Sequence, residues 1–167
     1  IDQRFLFMGA ASAGTGIAEL ISEAMVLEGL TIEQAYARCA LFDINGLLET
    51  TRTDIADFQR PFVHNHPPTH SFVTAIELIK PTAIIGVSTV PKLFDQNVIA
   101  AMSRINQRPI IFPYSNPTSR SECTAEEAYR WSNGQAIFAS GSPFSPIEFN
   151  NQKFVPLLWQ QKQSPNK

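Results

Sequence analysis

Short apolar runs alternating with segments of helical periodicity predict an α/β protein, a doubly wound parallel sheet of about five strands with helices on both faces. Two further observations support this. The first apolar run opens into a glycine-rich turn and not into a hairpin. The segments that follow the later runs are small or polar, as at the carboxyl edge of a parallel sheet, where ligands sit.

The first element is Phe5–Met8, four apolar residues suited to a strand buried on both faces. The octet Gly9–Gly16 turns the chain, and Ile17–Leu27 carries apolar residues at three- and four-residue steps, the period of a helix. Strand, glycine turn and helix make the phosphate-cradling half of a dinucleotide site. Free N–H groups and the helix dipole hold the pyrophosphate there, and glycines let the backbone approach it. Gly9, Ala11, Ser12, Ala13 and Gly14 are the expected contacts. Against G-x-G-x-x-G, Gly9 and Gly14 fit the first and third glycines, but the middle place holds Ala11. A methyl at that place could displace a phosphate, at about 1.5–3 kcal/mol if a charge-assisted hydrogen bond is lost. The same residues also suit a helix turn packed closely on a strand with no ligand.

Thr31 opens a second helix, with Gln34 at capping-box spacing. Ala40–Asp43 reads as the second strand, tipped by a carboxylate. An acid at that place accepts hydrogen bonds from the adenosine ribose. Asp43–Gly46 is equally good turn chemistry, so Asp43 has two readings. Residues 47–70 are the least regular, broken by Pro61, Pro67 and Pro68. His64, His66 and His70 fall there, but their spacing matches no zinc pattern, and a surface loop with no metal is expected.

Order returns with an amphipathic helix over 71–80 and a third strand over 82–87 ending at Ser88. A helix over 94–105 and a fourth strand over 109–112 follow. Next come the polar loop 115–119 and a helix opened by the capping box Thr124–Glu127. Ala136–Ala139 is the fifth strand, and Ser140–Ser142 lies beyond it. Asp43 with Ile44, Val87 with Ser88, and Asn116 thus join the glycine turn at one edge as expected cofactor contacts.

At 167 residues, 44% hydrophobic and 17% charged, the chain is long and apolar enough for one globular domain with a sizeable core. A net charge of −2 gives no electrostatic case for nucleic acid or an anionic membrane, so neither is an expected partner. No apolar run approaches the ~20 residues of a membrane span. Cys39 and Cys123 have no metal spacing and make no disulfide framework; each is expected in a helix or at its edge. A reducing compartment is therefore expected, the cytoplasm or a mitochondrial matrix.

Several motifs together resemble the malic enzymes: Gly9–Ala18, Phe42–Leu48, Ile85–Ser88, Pro109–Phe112, Ser115–Thr118, Glu122–Tyr129 and Ala139–Phe144. The likeness runs to about Pro156. It implies a Rossmann-like nicotinamide-dinucleotide domain over 1–156 and a divergent polar tail over 157–167. It also implies oxidative decarboxylation of malate to pyruvate with NAD or NADP and a divalent metal, Mg or Mn. By that resemblance Asn116 contacts the nicotinamide end or the substrate, Asp43 the ribose, and the glycine turn the pyrophosphate. NADP-preferring relatives place hydroxyl or basic residues after the acid. This chain has Ile44, Asn45 and, further on, Gln59, which favours NAD.

The family's general-base lysine, tyrosine and metal-binding carboxylates belong to a part preceding this domain. No catalytic group and no metal ligand is assigned here, and stand-alone activity is not expected. The start at Ile1 resembles a piece of something longer, and the tail 157–167 suits a shifted frame or a divergence. A truncated, non-catalytic protein kept for binding or assembly is the alternative, with Ala11 and the tail in its favour. A homo-oligomer is compatible with either.

Overall fold

A computed structural model describes residues 2–158. In chain order the strands are β1 (Phe5–Met8), β2 (Cys39–Asp43), β3 (Gly46–Leu47), β4 (Ala83–Gly86), β5 (Ile110–Pro113), β6 (Ile137–Ser140), β7 (Ile147–Phe149), β8 (Gln152–Phe154) and β9 (Leu157–Leu158). The helices are α1 (Ser12–Leu27), α2 (Ile32–Tyr36), α3 (Phe72–Ile79), α4 (Gln96–Ile105) and α5 (Ala125–Trp131). The main sheet has the order β3-β2-β1-β4-β5-β6-β9, parallel except where β3 turns back on β2.

The five expected strands are its parallel core, and β3 and β9 extend it to seven. β7 and β8 form a separate antiparallel hairpin around Asn150 and Asn151, both at positive φ. These four strands are only two or three residues long, too short for an apolar period to show in the sequence. Leu157 and Leu158, at the head of the expected tail, pair with Ala139 and Ser140 of β6; residues 159–167 lie outside the described residues.

Strand alternation divides the core in two. Leu6, Met8, Ile84, Ile111 and Phe138 face α3, α4 and α5, where Ile76, Ile99, Met102 and Tyr129 are buried. Phe7, Leu41 and Ile85 face the other way, against Ala18 of α1 and Tyr36 of α2. Handedness explains this division. The chain leaves β1 toward β2 in one direction and runs from β4 to β5 and β6 in the other. Right-handed crossovers then place α1 and α4–α5 on opposite faces. Among the described residues, no helix beyond α1 covers β4 and β5 on the α1 side, and a cleft remains there.

Three local details differ from expectation. α1 begins at Ser12, inside the glycine octet, because only Gly9–Ala11 is needed to turn and the small residues after it accept helical dihedrals. Cys39 lies in β2 and not at a helix edge, its side chain fully buried against α1. The irregular stretch contains a 3-10 turn over Asp57–Phe62, which buries Phe62 edge-on to Tyr36. Among the described residues no helix is long and apolar enough to cross a membrane.

Candidate functional site

The glycine turn is fixed from both sides. Gly9 N–H donates to the Phe42 carbonyl at 2.8 Å, and Val87 N–H donates to the Met8 carbonyl at 2.9 Å. Gly9 has φ +119°, and a Cβ there would meet the Val87 carbonyl oxygen at 2.8 Å. A Cβ on Gly14 would collide with the Gly9 carbonyl. These two glycines are what let α1 sit this close to β1 and β4. The middle position needs no such freedom, since Ala11 has φ −79° and ψ −170°, ordinary extended backbone.

Ala11 occupies the N-cap of α1 and offers no side-chain oxygen to it. A Ser, Thr or Asp there would stabilise the helix by about 1 kcal/mol. Without one, the amides of the first turn, at Ser12, Ala13 and Gly14, have no partner among the described residues. The positive end of a sixteen-residue helix thus faces the edge with its donors open, a ready seat for an anion. Gln59 supports the turn from 49 positions away, donating from Nε2 to the Ala10 carbonyl at 2.8 Å.

At the tip of β2, Asp43 makes the contact of its turn reading. Its Oδ1 accepts from Asn45 N–H at 2.8 Å, the turn contact, and its side chain also lies at the strand end beside β1. Arg52 grips it through two 2.9 Å bonds, Nη1 to Oδ1 and Nη2 to Oδ2. The same guanidinium binds Asp54 through Nε at 2.8 Å and Nη2 at 2.6 Å. Asp54, then Asp43, raise the Arg52 pKa above its ordinary value, and the Arg52 contact holds Asp54 below the usual carboxylate range. Ile44 stands almost fully exposed beside them.

Beyond β4 and β5 the loops are polar and interlocked. Ser88 and Ser115 both bond the buried Glu122. Ser142 Oγ donates to Asn116 Oδ1 at 2.5 Å, which leaves the Asn116 amide N–H groups free to donate. Gly141 lacks the Cβ that would press on this amide. The cleft on the α1 side holds about 780 Å³ and is bordered by Ser12, Ala13, Val87 and Asn116, with Leu20, Phe112 and Tyr114 also lining it. Burial raises the Tyr114 pKa.

Of the expected contacts, Ser12, Ala13, Val87 and Asn116 therefore share one cleft. Gly9, Ala11 and Gly14 belong to the turn beside it, Asp43 and Ile44 lie at the β2 tip and do not border it, and Ser88 turns inward to Glu122. Arg52 is an addition from the structure, and so are the bonds that tie Gln59, Glu122 and Ser142 to the site. Their partners lie 7 to 49 positions away, outside any local period.

The histidines behave as loop residues. His64 Nε2 bonds the Cys39 carbonyl at 2.8 Å, and its ring meets His66 edge-on. Burial, and then His64, lower the His66 pKa. Among the described residues, no three His, Cys, Asp or Glu side chains gather as a metal set.

Comparison with known proteins adds to this geometry. The family described as the malic enzyme NAD-binding domain matches residues 1–161. The chain is 50% identical over 157 residues to an Arabidopsis thaliana protein named NADP-dependent malic enzyme 4, chloroplastic. That match covers 93% of this chain and 24% of the relative. It is 50% identical to a Vitis vinifera NADP-dependent malic enzyme, covering 93% of this chain and 27% of that one. It is 48% identical to the chloroplastic enzyme of Zea mays, covering 93% and 25%. The chain thus spans about a quarter of the curated relatives it matches.

These names overturn the expectation of a cytoplasmic or mitochondrial setting, because the Arabidopsis and maize relatives are named chloroplastic. Cys39 and Cys123 are buried on opposite faces of the sheet and do not pair with each other, which fits more than one compartment.

Proposed function

The chain belongs to the malic enzyme family, as its NAD-binding domain, and we propose that its carboxyl-edge cleft holds the dinucleotide for oxidation and decarboxylation of malate to pyruvate. One observation carries the site assignment. The open amides of α1, the carboxylate tip of β2 and the Asn116 loop all lie along the same edge of one sheet.

The residues fit the cofactor. The first turn of α1 would take the pyrophosphate, with Gly9 and Gly14 letting backbone and helix close around it. Asp43 would accept from the adenosine ribose, and Ile44 and Val87 would border the adenosine and nicotinamide halves. Asn116, its oxygen held by Ser142, would present N–H donors to the nicotinamide amide or to a substrate carboxylate. When bound, the nicotinamide would supply a hydride acceptor for the hydroxyl-bearing carbon. The cleft wall of Val87, Phe112 and Tyr114 would exclude water there.

Decarboxylation also requires a base and a metal that withdraws charge. The described residues gather no metal set, so no step through a metal is assigned to them. A homo-oligomer is part of this proposal only for the longer protein.

NAD is proposed over NADP. Arg52, the cation at the β2 tip, already faces two carboxylates, so a 2′-phosphate would meet net negative charge. Ile44 and Asn45 offer neither hydroxyl nor charge in compensation. The NADP-dependent names of the relatives point the other way. Calorimetric titration of the chain with each nucleotide decides the matter. Tighter NAD is expected; tighter NADP would reverse the preference, and no heat with either at millimolar concentration would end the cofactor assignment.

A second reading, a fold retained only for binding or assembly, has Ala11 and the tail over 157–167 in its favour. Under the cofactor reading Ala11→Gly raises affinity without changing the fold. If neither form takes nucleotide, the second reading stands.

A further inference from the structure

We propose that Glu122 is a positioning residue for the nicotinamide side of the cleft, the buried anion that sets the loops after β4 and β5 against each other. This rests on the cofactor reading above.

Glu122 is fully buried and precedes α5 by three residues. Its Oε2 accepts from Ser88 N–H at 3.1 Å, Ser88 Oγ at 2.9 Å and Ser115 Oγ at 2.5 Å. Its Oε1 accepts from Ser115 N–H at 3.3 Å. Every donor belongs to one of the two loops that bring Val87 and Asn116 to the cleft. Gly86, the last residue of β4, is where a Cβ would collide with this carboxylate, so the strand end is open to admit it.

The network continues into a strained segment. Ser115 Oγ accepts from Thr89 N–H at 2.9 Å, and Thr89 has φ +59°. A β-branched residue in the left-handed region persists only where its surroundings hold it, and such residues cluster at ligand clamps. Here the holding chain runs from Thr89 through Ser115 to Glu122. The backbone adds two ties, Phe94 N–H to the Glu122 carbonyl at 3.0 Å and Lys92 N–H to the Ser121 carbonyl at 3.1 Å.

The chemistry calls for a carboxylate. Among the described residues no Lys, Arg or His pairs with Glu122. A buried anion without a cation is a poor device for stability alone. It is a good device for collecting donors, because an ionised carboxylate only accepts, whereas glutamine would turn an NH₂ toward N–H groups. Removing the charge should therefore loosen the two loops relative to each other. The pyrophosphate and ribose contacts at α1 and β2, which Glu122 does not touch, should be left as they are.

That separation gives the test. NAD, which spans both halves of the edge, and ADP, which reaches only the adenosine half, are titrated calorimetrically into the chain, Glu122→Gln and Ser115→Ala. Circular dichroism and melting are recorded for each. Glu122→Gln is expected to weaken NAD about tenfold or more while ADP stays within twofold, and Ser115→Ala to do the same to a smaller degree. Equal losses for both ligands, or no loss for either, would overturn the proposal and leave Glu122 a structural residue. If Glu122→Gln fails to fold, the Ser115→Ala split between NAD and ADP decides by the same criterion. If the unmodified chain takes neither nucleotide, the cofactor reading itself fails, and this inference with it.

Discussion

Arg52 shows how much depends on single side chains at this edge. Its Nη1 and Nη2 bind Asp43 bidentately while Nε and the shared Nη2 hold Asp54, with only 10% of the arginine side chain exposed. Arg52→Ala should cost about 1.5 kcal/mol, the low end for charge-assisted hydrogen bonds because both carboxylates keep some solvent. Urea unfolding measures this. The pH dependence follows from Asp54, whose carboxyl is held below its ordinary value in the folded chain. Stability from this contact is full above the unfolded value near 3.8 and is lost as pH falls through the lower folded one. The difference between wild type and Asp54→Ala should therefore shrink below about pH 4, as read in urea titrations at pH 5 and 3.

The thiols behave in the opposite sense. Burial pushes Cys39 up to about 11, against the opposing effect of the Ser22 contact, and raises Cys123 as well. Both thiols stay protonated in the fold while the unfolded chain ionises near 9, so stability declines as pH rises from about 9 toward 11. At pH 8 a chromogenic disulfide should label neither cysteine of the native chain and both after denaturation. Prompt labelling of Cys39 in the folded chain would mean that β2 is not packed against α1.

Among the elements, α1 and α5 make a useful contrast. α5 begins with a complete capping box, in which Thr124 Oγ1 accepts from Glu127 N–H at 3.1 Å and Glu127 Oε1 accepts from Thr124 N–H at 2.9 Å. Thr124→Ala should lower stability by about 1 kcal/mol in thermal or urea unfolding. α1 has no such cap, and its first-turn amides, left open, are where the proposed pyrophosphate contact falls. Gly14→Ala should cost about 1–3 kcal/mol, because the new methyl meets the Gly9 carbonyl and must push the helix off the strand. The same change should weaken nucleotide binding by moving those amides. A Gly14→Ala chain with wild-type stability would contradict the packing.

For the molecule as a whole, binding and folding are linked. A ligand held by the folded chain alone, at a hundred times its dissociation constant, adds about 2.7 kcal/mol of stability. For a chain of this length that corresponds to a rise in Tm of roughly 5–10 °C. Scanning calorimetry with and without NAD checks this, and an unchanged midpoint at saturation would count against binding to the folded state. The cleft on the α1 side has a global origin too, since it follows from crossover handedness and from no one residue.

Much of this was readable in order along the chain. The apolar runs located the five parallel strands, the capping boxes at Thr31 and Thr124 marked two helix starts, and Gly9 and Gly14 marked the turn. These signals are local, a period of hydrophobicity or a side chain reaching three residues on, so the sequence by itself determined the fold class and the edge where a ligand would sit. Only the tertiary structure decided the rest. It gave Asp43 its Arg52, the turn its Gln59 and the β4 and β5 loops their Glu122, and among the described residues it left a cleft beside β4 and β5 on the α1 side. The physical reason is that these arrangements depend on residues far apart in the chain. Backbone crossings bring their hydrogen-bonding atoms within 3 Å or so, and no spacing in the sequence encodes such a meeting.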